Sequence, residues 1–513
     1  MIKVKQWGSI LLVGSLLLLS ACGSQGGNGE AGEASSNGDK QTSTFNMFFD
    51  NGIPEYPGNG GEAKPKIIAL MNKAGITDVD YQVTLLSGDE YNTKLNLLAS
   101  SGELPDYFSV NPTTLSQFVD QGLVMPLDDL LAKAPHITQQ VPKERWEGVT
   151  FDGKIYAVPF GVRPESFNSP NTSGLIIRQD WMDKLNLKQP TTLDELHDVL
   201  TAFVQKDPDG NGIKDTYGMS GSKGSQFSVI FGAFGIAPSY WIEKDGKIVK
   251  GFTTPEAKET LSILQTWYKE GLIDPEFPVM EGNQAQSKII NSKVGSYEGP
   301  AFDVNPKGSS FAEALAKASP SAVLKLIPPP KGPQGLNGYP EANPYAGGGL
   351  RAISAKTPHP EKLMQLLDWS VSENENGGVN LLTYGEENVD YTIDKEKNLI
   401  KQTSSYADLY KKGFSNPVRF IQVTDRRWAE ESVRDGLETA AASVVKNALW
   451  KTVPAELDYP DLEKKLWTEY FVKIVTGVWS LDKFDEFVQK YYAQGGQKIQ
   501  DQANEEWKKN QGK

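Results

Sequence analysis

Oxygen-bearing side chains recur at alternate positions in one short stretch, Asp207-Pro-Asp-Gly-Asn-Gly-Ile-Lys-Asp-Thr-Tyr-Gly218. Asp207, Asp209 and Asn211 supply side-chain oxygens. Gly212 stands where a sharp turn is needed, Ile213 offers its carbonyl, and Asp215 takes the ninth place. That is the ligand order of a calcium loop, because calcium gathers about six to eight hard oxygen ligands from a tightly curled chain. The twelfth position, which should carry a bidentate glutamate, is Gly218. The expectation is a structural calcium clasp between a helix and a strand, completed by Thr216, water or a distant carboxylate, doing no chemistry. The competing reading is a plain surface turn, with Asp and Gly present for turn geometry.

The second residue with chemistry of its own is Cys22, the single cysteine. Lys3 and Lys5 precede an apolar run from Ile10 to Leu19, and Ser20-Ala21 follow it. This is the pattern of a secretory signal over residues 1–21, too short for a comfortable membrane span. The run Leu19-Ser20-Ala21-Cys22 resembles a bacterial lipobox, in which the cysteine becomes the first mature residue and carries lipid such as palmitate on its sulfur. The expected location is the extracytoplasmic face of the cell membrane, held by that anchor. Residues 22–43, rich in Gly, Ser, Asn and Glu, read as a flexible tether.

Other reactive groups show no pattern. His136, His197 and His359 lie far apart and lack the paired spacing of a zinc site. No Gly-x-Ser-x-Gly elbow, phosphate loop or His-Glu-x-x-His motif occurs. The net charge of −13 over 513 residues argues against nucleic-acid binding, which needs clustered positive charge. A chain this long builds a large core without disulfides.

The elements that must position these groups can be read from periodicity. Residues 44–51 read as a buried strand, 64–72 as a helix and 81–86 as a second strand, the alternation of an α/β fold. Thr192-Leu-Asp-Glu195 is a capping box opening a helix that runs to about Gln205, directly before the calcium-like loop. Thr254-Pro255 opens another, which Gly271 ends. Near the C-terminus, Leu462, Leu466 and Tyr470 form one helical stripe, and Phe484, Phe487, Val488 and Tyr491 another.

Several stretches resemble one family. These are Tyr91–Phe108 (YNTKLNLLASSGELPDYF), Gln121–Leu131 (QGLVMPLDDLL), Leu175–Leu196 (LIIRQDWMDKLNLKQPTTLDEL), Asp245–Phe277 and Val475–Trp507. In this order they resemble extracellular solute-binding proteins of ABC importers. The nearest group is the carbohydrate-type lipoprotein subgroup that includes the alginate-binding proteins and the LipO and LplA lipoproteins. The resemblance implies an α/β, two-lobed periplasmic-binding-protein-like fold of type II, with a hinge, an interlobe ligand cleft and a helical C-terminal part. It implies one lobe from 44–161 plus about 345–391, and a second from 162–344 plus about 392–513. Hinge crossings are expected at Tyr156–Pro164 and Asn343–Ser354, where three glycines can absorb changes of backbone angle. It also adds weight to calcium, since alginate-binding relatives carry a similar loop away from the sugar cleft.

The function implied is a membrane-anchored receptor, acting as a monomer and not as an enzyme. It would capture an oligosaccharide and hand it to an ABC permease. Sugars need flat aromatic platforms and planar polar groups. Asp50 and Asn51, at a strand's carboxyl end, are expected at the ligand. So are Tyr107, Phe160, Arg163, Tyr297 and Trp428, by their places at turns and crossings. Arg178 is expected to pair with a neighbouring carboxylate instead. An anchored polysaccharide hydrolase or lyase is the alternative, since two carboxylates among 65 acidic residues could flank a glycosidic bond. A surface adhesin is a third reading.

Overall fold

The computed structural model describes residues 42–511 apart from 52–54, 162–172, 223–226, 281–283, 306–309, 343–348, 415–426, 428–430 and 451. Cys22, Arg163 and Trp428 lie outside the described residues. Two main sheets are built from strands β1 (Ser43–Asp50), β2 (Val79–Leu86), β3 (Tyr107–Val110), β4 (Val158–Pro159), β5 (Ser173–Arg178), β6 (Tyr217–Ser220), β7 (Val294–Pro300), β8 (Leu324–Leu326) and β9 (Leu350–Ile353).

The first sheet has the order β2-β1-β3-β9-β4. β1 runs parallel to β2 and β3, whereas β9 returns antiparallel between β3 and β4. Alternation along β1 decides its two faces. Phe45, Met47 and Phe49 point into one core, shared with Tyr107, Leu127, Leu363 and Leu367. Phe48 points to the other, shared with Tyr91, Leu95, Phe108 and Leu115. Helix α1 (Ala63–Lys73) connects β1 to β2, and α2 (Gly88–Ser101) and α3 (Pro112–Asp120) follow β2 and β3. The expected strand–helix–strand opening is therefore present.

The second sheet has the order β8-β5-β7-β6. Leu175, Ile176 and Ile177 are consecutive and all buried, as a strand covered on both faces requires. Helix α4 (Leu193–Gln205) packs Leu196, Leu200 and Phe203 into this core. Its start follows the sequence, with one change. Thr192 Oγ1 accepts the Glu195 N–H at 3.2 Å, but the Glu195 carboxylate reaches back to Thr191, accepting from its N–H at 2.7 Å and its hydroxyl at 2.6 Å. Helix α5 (Pro255–Lys269) carries proline in its first turn and a Thr254 cap, as expected.

The C-terminal helices close the second core. Trp467 stacks on Phe252 with centroids 5.5 Å apart, and Phe487 and Tyr491 meet the same ring edge-on. Leu462–Trp467 and Tyr492–Gly496 wind as π-helical turns. Leu409 and Phe414 pack into the first core. Among the described residues, no helix is long and apolar enough to cross a membrane.

Candidate functional site

The carboxyl ends of β1 and β3 and the start of β9 border a cavity of about 330 Å³. Asp50, Asn92, Ser109, Asn111 and Thr114 give its rim polar groups; Tyr91, Leu95 and Pro112 give it apolar wall; Arg351 closes one side. In open α/β sheets the space beyond strand carboxyl ends is where ligands lie, because helix N-termini and loops converge there. Two helices begin here. Asp50 Oδ1 accepts the Gly88 N–H at the start of α2 at 3.0 Å, and Asn111 Oδ1 caps α3 by accepting the Thr114 N–H at 2.8 Å. Asp50 is exposed at the strand end. Asn51 lies beside it, its N–H donating to the Leu86 carbonyl at 2.7 Å.

Arg351 is the unusual member. It sits mid-strand in β9, 4% exposed. Its guanidinium carbon lies 4.4 Å from the ring centre of Phe49 and 4.1 Å from that of Phe160. Nη1 donates to Ser109 Oγ. Nε has no hydrogen-bond partner among the described residues. Burial pushes its pKa down to about 10, against the opposing pull of Tyr107, Tyr91 and Asp50. Phe160, expected at the ligand, is buried as one slice of a sandwich around Arg351. Sequence reasoning named the glycine-rich crossing and missed Arg351. The signal was a lone charge inside Leu350-Arg-Ala-Ile353, an otherwise apolar strand.

Two aromatic expectations need correction. Tyr107 is wholly buried, edge-on to Phe49 at 5.8 Å, on the core face of β3. Tyr297 is 2% exposed; its hydroxyl donates to Asp303 Oδ2 at 2.8 Å and its ring packs edge-on against Phe311. Neither offers a ring face to a solute, because both faces of their strands are packed. Arg178 pairs with Asp180 as expected, Nε to Oδ1 at 2.8 Å and Nη2 to Oδ2 at 2.7 Å.

On β7, next to Tyr297, Glu298 accepts from the Val229 N–H and, at 3.1 Å, from the Ser228 hydroxyl. Burial raises its pKa to about 7, although the hydrogen bonds from Val229 and Ser228 oppose the rise.

The Asp207–Asp215 loop joins α4 to β6. Asp207 takes a positive φ of 48° and accepts the N–H groups of Gly210 at 3.1 Å and Gly212 at 3.0 Å. The Asn211 amide nitrogen lies between Asp209 Oδ2 at 2.8 Å and Asp215 Oδ1 at 3.2 Å. Burial and the adjacent Asp207 carboxylate raise the pKa of Asp209. Asp207 and Asp209 crowd one another, and Asp209 and Asp215 share the Asn211 amide, a concentration of negative charge that suits a hard cation. Two features oppose it. Lys293 already pairs with Asp215 and holds its pKa down. Among the described residues, no three His, Cys, Asp or Glu side chains form a metal cage.

Residues 57–376, more than half of the chain, match the family described as bacterial extracellular solute-binding protein, and the chain belongs to that family. The polygalacturonan/rhamnogalacturonan-binding protein YtcQ of Bacillus subtilis (strain 168) is 27% identical over 469 residues, covering 86% of this chain and 89% of its own. The fructooligosaccharide ABC transporter substrate-binding protein FusA of Streptococcus pneumoniae is 30% identical over 314 residues, 56% of each chain. Lipoprotein LipO of B. subtilis is 29% identical over 304 residues, 57% of each. Among solved structures, alginate-binding protein AlgQ2 without calcium ion superposes with a TM-score of 0.66 at 20% identity, covering 91% of this chain and 98% of its own. FusA in complex with kestose gives 0.67 at 20% identity, covering 92% and 100%. This likeness shows the fold, the two-lobed type II architecture of periplasmic binding proteins.

Proposed function

We propose that this protein captures an oligosaccharide outside the cell and delivers it to an ABC transporter permease, as a binding protein and not an enzyme. The cavity at the ends of β1 and β3 carries the reading: it mixes apolar wall with convergent polar groups, as sugar recognition requires. Asp50, Asn92, Asn111 and Thr114 would meet ring hydroxyls, with Asn51 alongside. Relatives named for polygalacturonan and fructooligosaccharide binding support the class of solute.

The first lobe would comprise 42–161 with 349–414, following the core in which Leu409 and Phe414 lie; the second would comprise 173–342 with 431–511. On this reading the second boundary would lie beyond the expected 391. Ligand would favour the closed arrangement through its differential affinity for the two states.

Cys22 would carry the lipid anchor, a reading supported by its lipobox-like context and by the lipoprotein among the relatives. Calcium would be a brace within the second lobe, held by Asp207, Asp209, Asn211, the Ile213 carbonyl and Asp215 after displacement of Lys293. A FusA EF-hand mutant and a calcium-free AlgQ2 among the structural neighbours support it.

The test is incubation with an oligosaccharide library, reading melting temperature and reducing ends together. A thermal shift with intact sugar recovered is the expected outcome. Reducing ends accumulating with time would replace the receptor by the hydrolase or lyase, and no shift with any sugar would end the reading.

A further inference from the structure

Arg351 poses a physical problem that oligosaccharide capture by itself does not answer. A cation taken out of water is costly unless a countercharge accompanies it. Among the described residues, no carboxylate stands within ion-pair distance of this guanidinium. Asp50, the acid on the same cavity, gives an oxygen to the Gly88 N–H at the start of α2. The aromatic sandwich of Phe49 and Phe160 compensates in part, as a cation between two ring faces gains from both quadrupoles. The rings also hold the guanidinium plane fixed. Ser109 Oγ takes Nη1 and the Asp50 N–H together, so the serine aligns the arginine with the strand ends.

A rigid, desolvated guanidinium on the wall of a solute cavity, its Nε without a hydrogen-bond partner among the described residues, suits a planar anion. Carboxylate geometry matches the guanidinium fork, which is why such pairs are strong and selective. A neutral sugar offers only hydroxyls, and these would leave the charge uncompensated. Asp50, on the same rim, disfavours a second negative group close to itself, so the anion's place is on the Arg351 side.

We propose that Arg351 is a specificity-determining residue that receives the carboxylate of an acidic, uronate-type oligosaccharide in the cavity at the ends of β1 and β3. The inference rests on the oligosaccharide-capture reading and narrows its solute class.

The experiment is calorimetry on the full mature chain with galacturonate trimer and with the same trimer after carboxyl reduction. The wild type is expected to bind the acid at least tenfold more tightly, about 1.4 kcal/mol. Raising the salt should narrow the gap only modestly, because a buried pair is poorly screened. Arg351→Met should abolish the preference. Its ligand-free melting temperature should not fall, since an uncompensated buried charge has been removed. Equal affinity for both trimers, tighter binding of the reduced trimer, or a preference that survives in Arg351→Met would each overturn the role of Arg351. Tight binding of neutral library sugars alone would overturn it while leaving oligosaccharide capture standing. Binding of no oligosaccharide would overturn both. If Arg351→Met does not fold, Phe160→Leu, which strips one ring from the sandwich, serves in its place. It should reduce the acid preference, and an unchanged preference would overturn the proposal.

Discussion

Leu200 fills the space that a side chain at position 218 would need. A Cβ built on Gly218 would lie 2.6 Å from Leu200 Cβ and 3.0 Å from the Leu272 carbonyl oxygen. The missing glutamate of the calcium-like loop is therefore a consequence of packing. The twelfth position falls inside β6, where α4 presses against the strand. Gly218→Ala is expected to destabilise the fold by about 1–3 kcal/mol, the usual cost of overpacking, as read by urea denaturation. Gly218→Glu is expected to lower stability further without improving calcium affinity. A tighter calcium site in Gly218→Glu would contradict the packing argument.

Calcium is expected to raise the melting temperature, and a chelator to lower it again. At a hundredfold excess over Kd the gain is about 2.7 kcal/mol, because calcium binds the folded state alone. Asp209→Ala should make the melt indifferent to both additions. If the wild-type melt already ignores calcium and chelator, the loop is only a turn.

Glu298 makes stability depend on pH. Its pKa in the folded protein is about 7, above the ordinary 4.5 of an exposed glutamate. Between those values the folded state holds the proton that the unfolded state has released. Its contribution is thus fully present below about pH 4.5 and is lost as the pH rises through 7. Each unit is worth about 1.4 kcal/mol, so the decline is at most a few kcal/mol. Denaturation curves at pH 5 and pH 8 should show wild type losing more than Glu298→Gln. Equal losses would clear Glu298 of any part.

Tyr297 belongs to the core, so Tyr297→Ala should lower the ligand-free melting temperature, with a cost of about 3–5 kcal/mol typical of large aromatic truncations. Affinity for sugar, measured on whatever fraction folds, should be unchanged. Lost affinity with an unaltered melt would restore it as a platform.

Cys22→Ser is expected to release the protein from membranes or to leave the signal uncleaved. Fractionation and the size of the processed chain read this directly. A variant that stays membrane-bound at the wild-type processed size would remove the lipid anchor.

What the sequence determined by itself was local or chemical in kind. The cap at Thr192, the proline after Thr254, the strand read at residues 44–51 and found at 43–50, and the curl of Asp207–Gly212 all rest on neighbours within a few positions, so their residue types carry the signal. Family membership was legible too, because its motifs recur in order along the chain. Which rings are buried in the core was decided only by the tertiary structure. Tyr107 and Tyr297 sit at suggestive turns, yet elements packed on both faces of their strands bury both rings. Arg351 gained its meaning from Ser109, 242 residues away in the chain, and from Phe49 and Phe160 on two further strand ends. Burial of a charge is a property of the strands that pair around it, and no window of sequence contains those strands together.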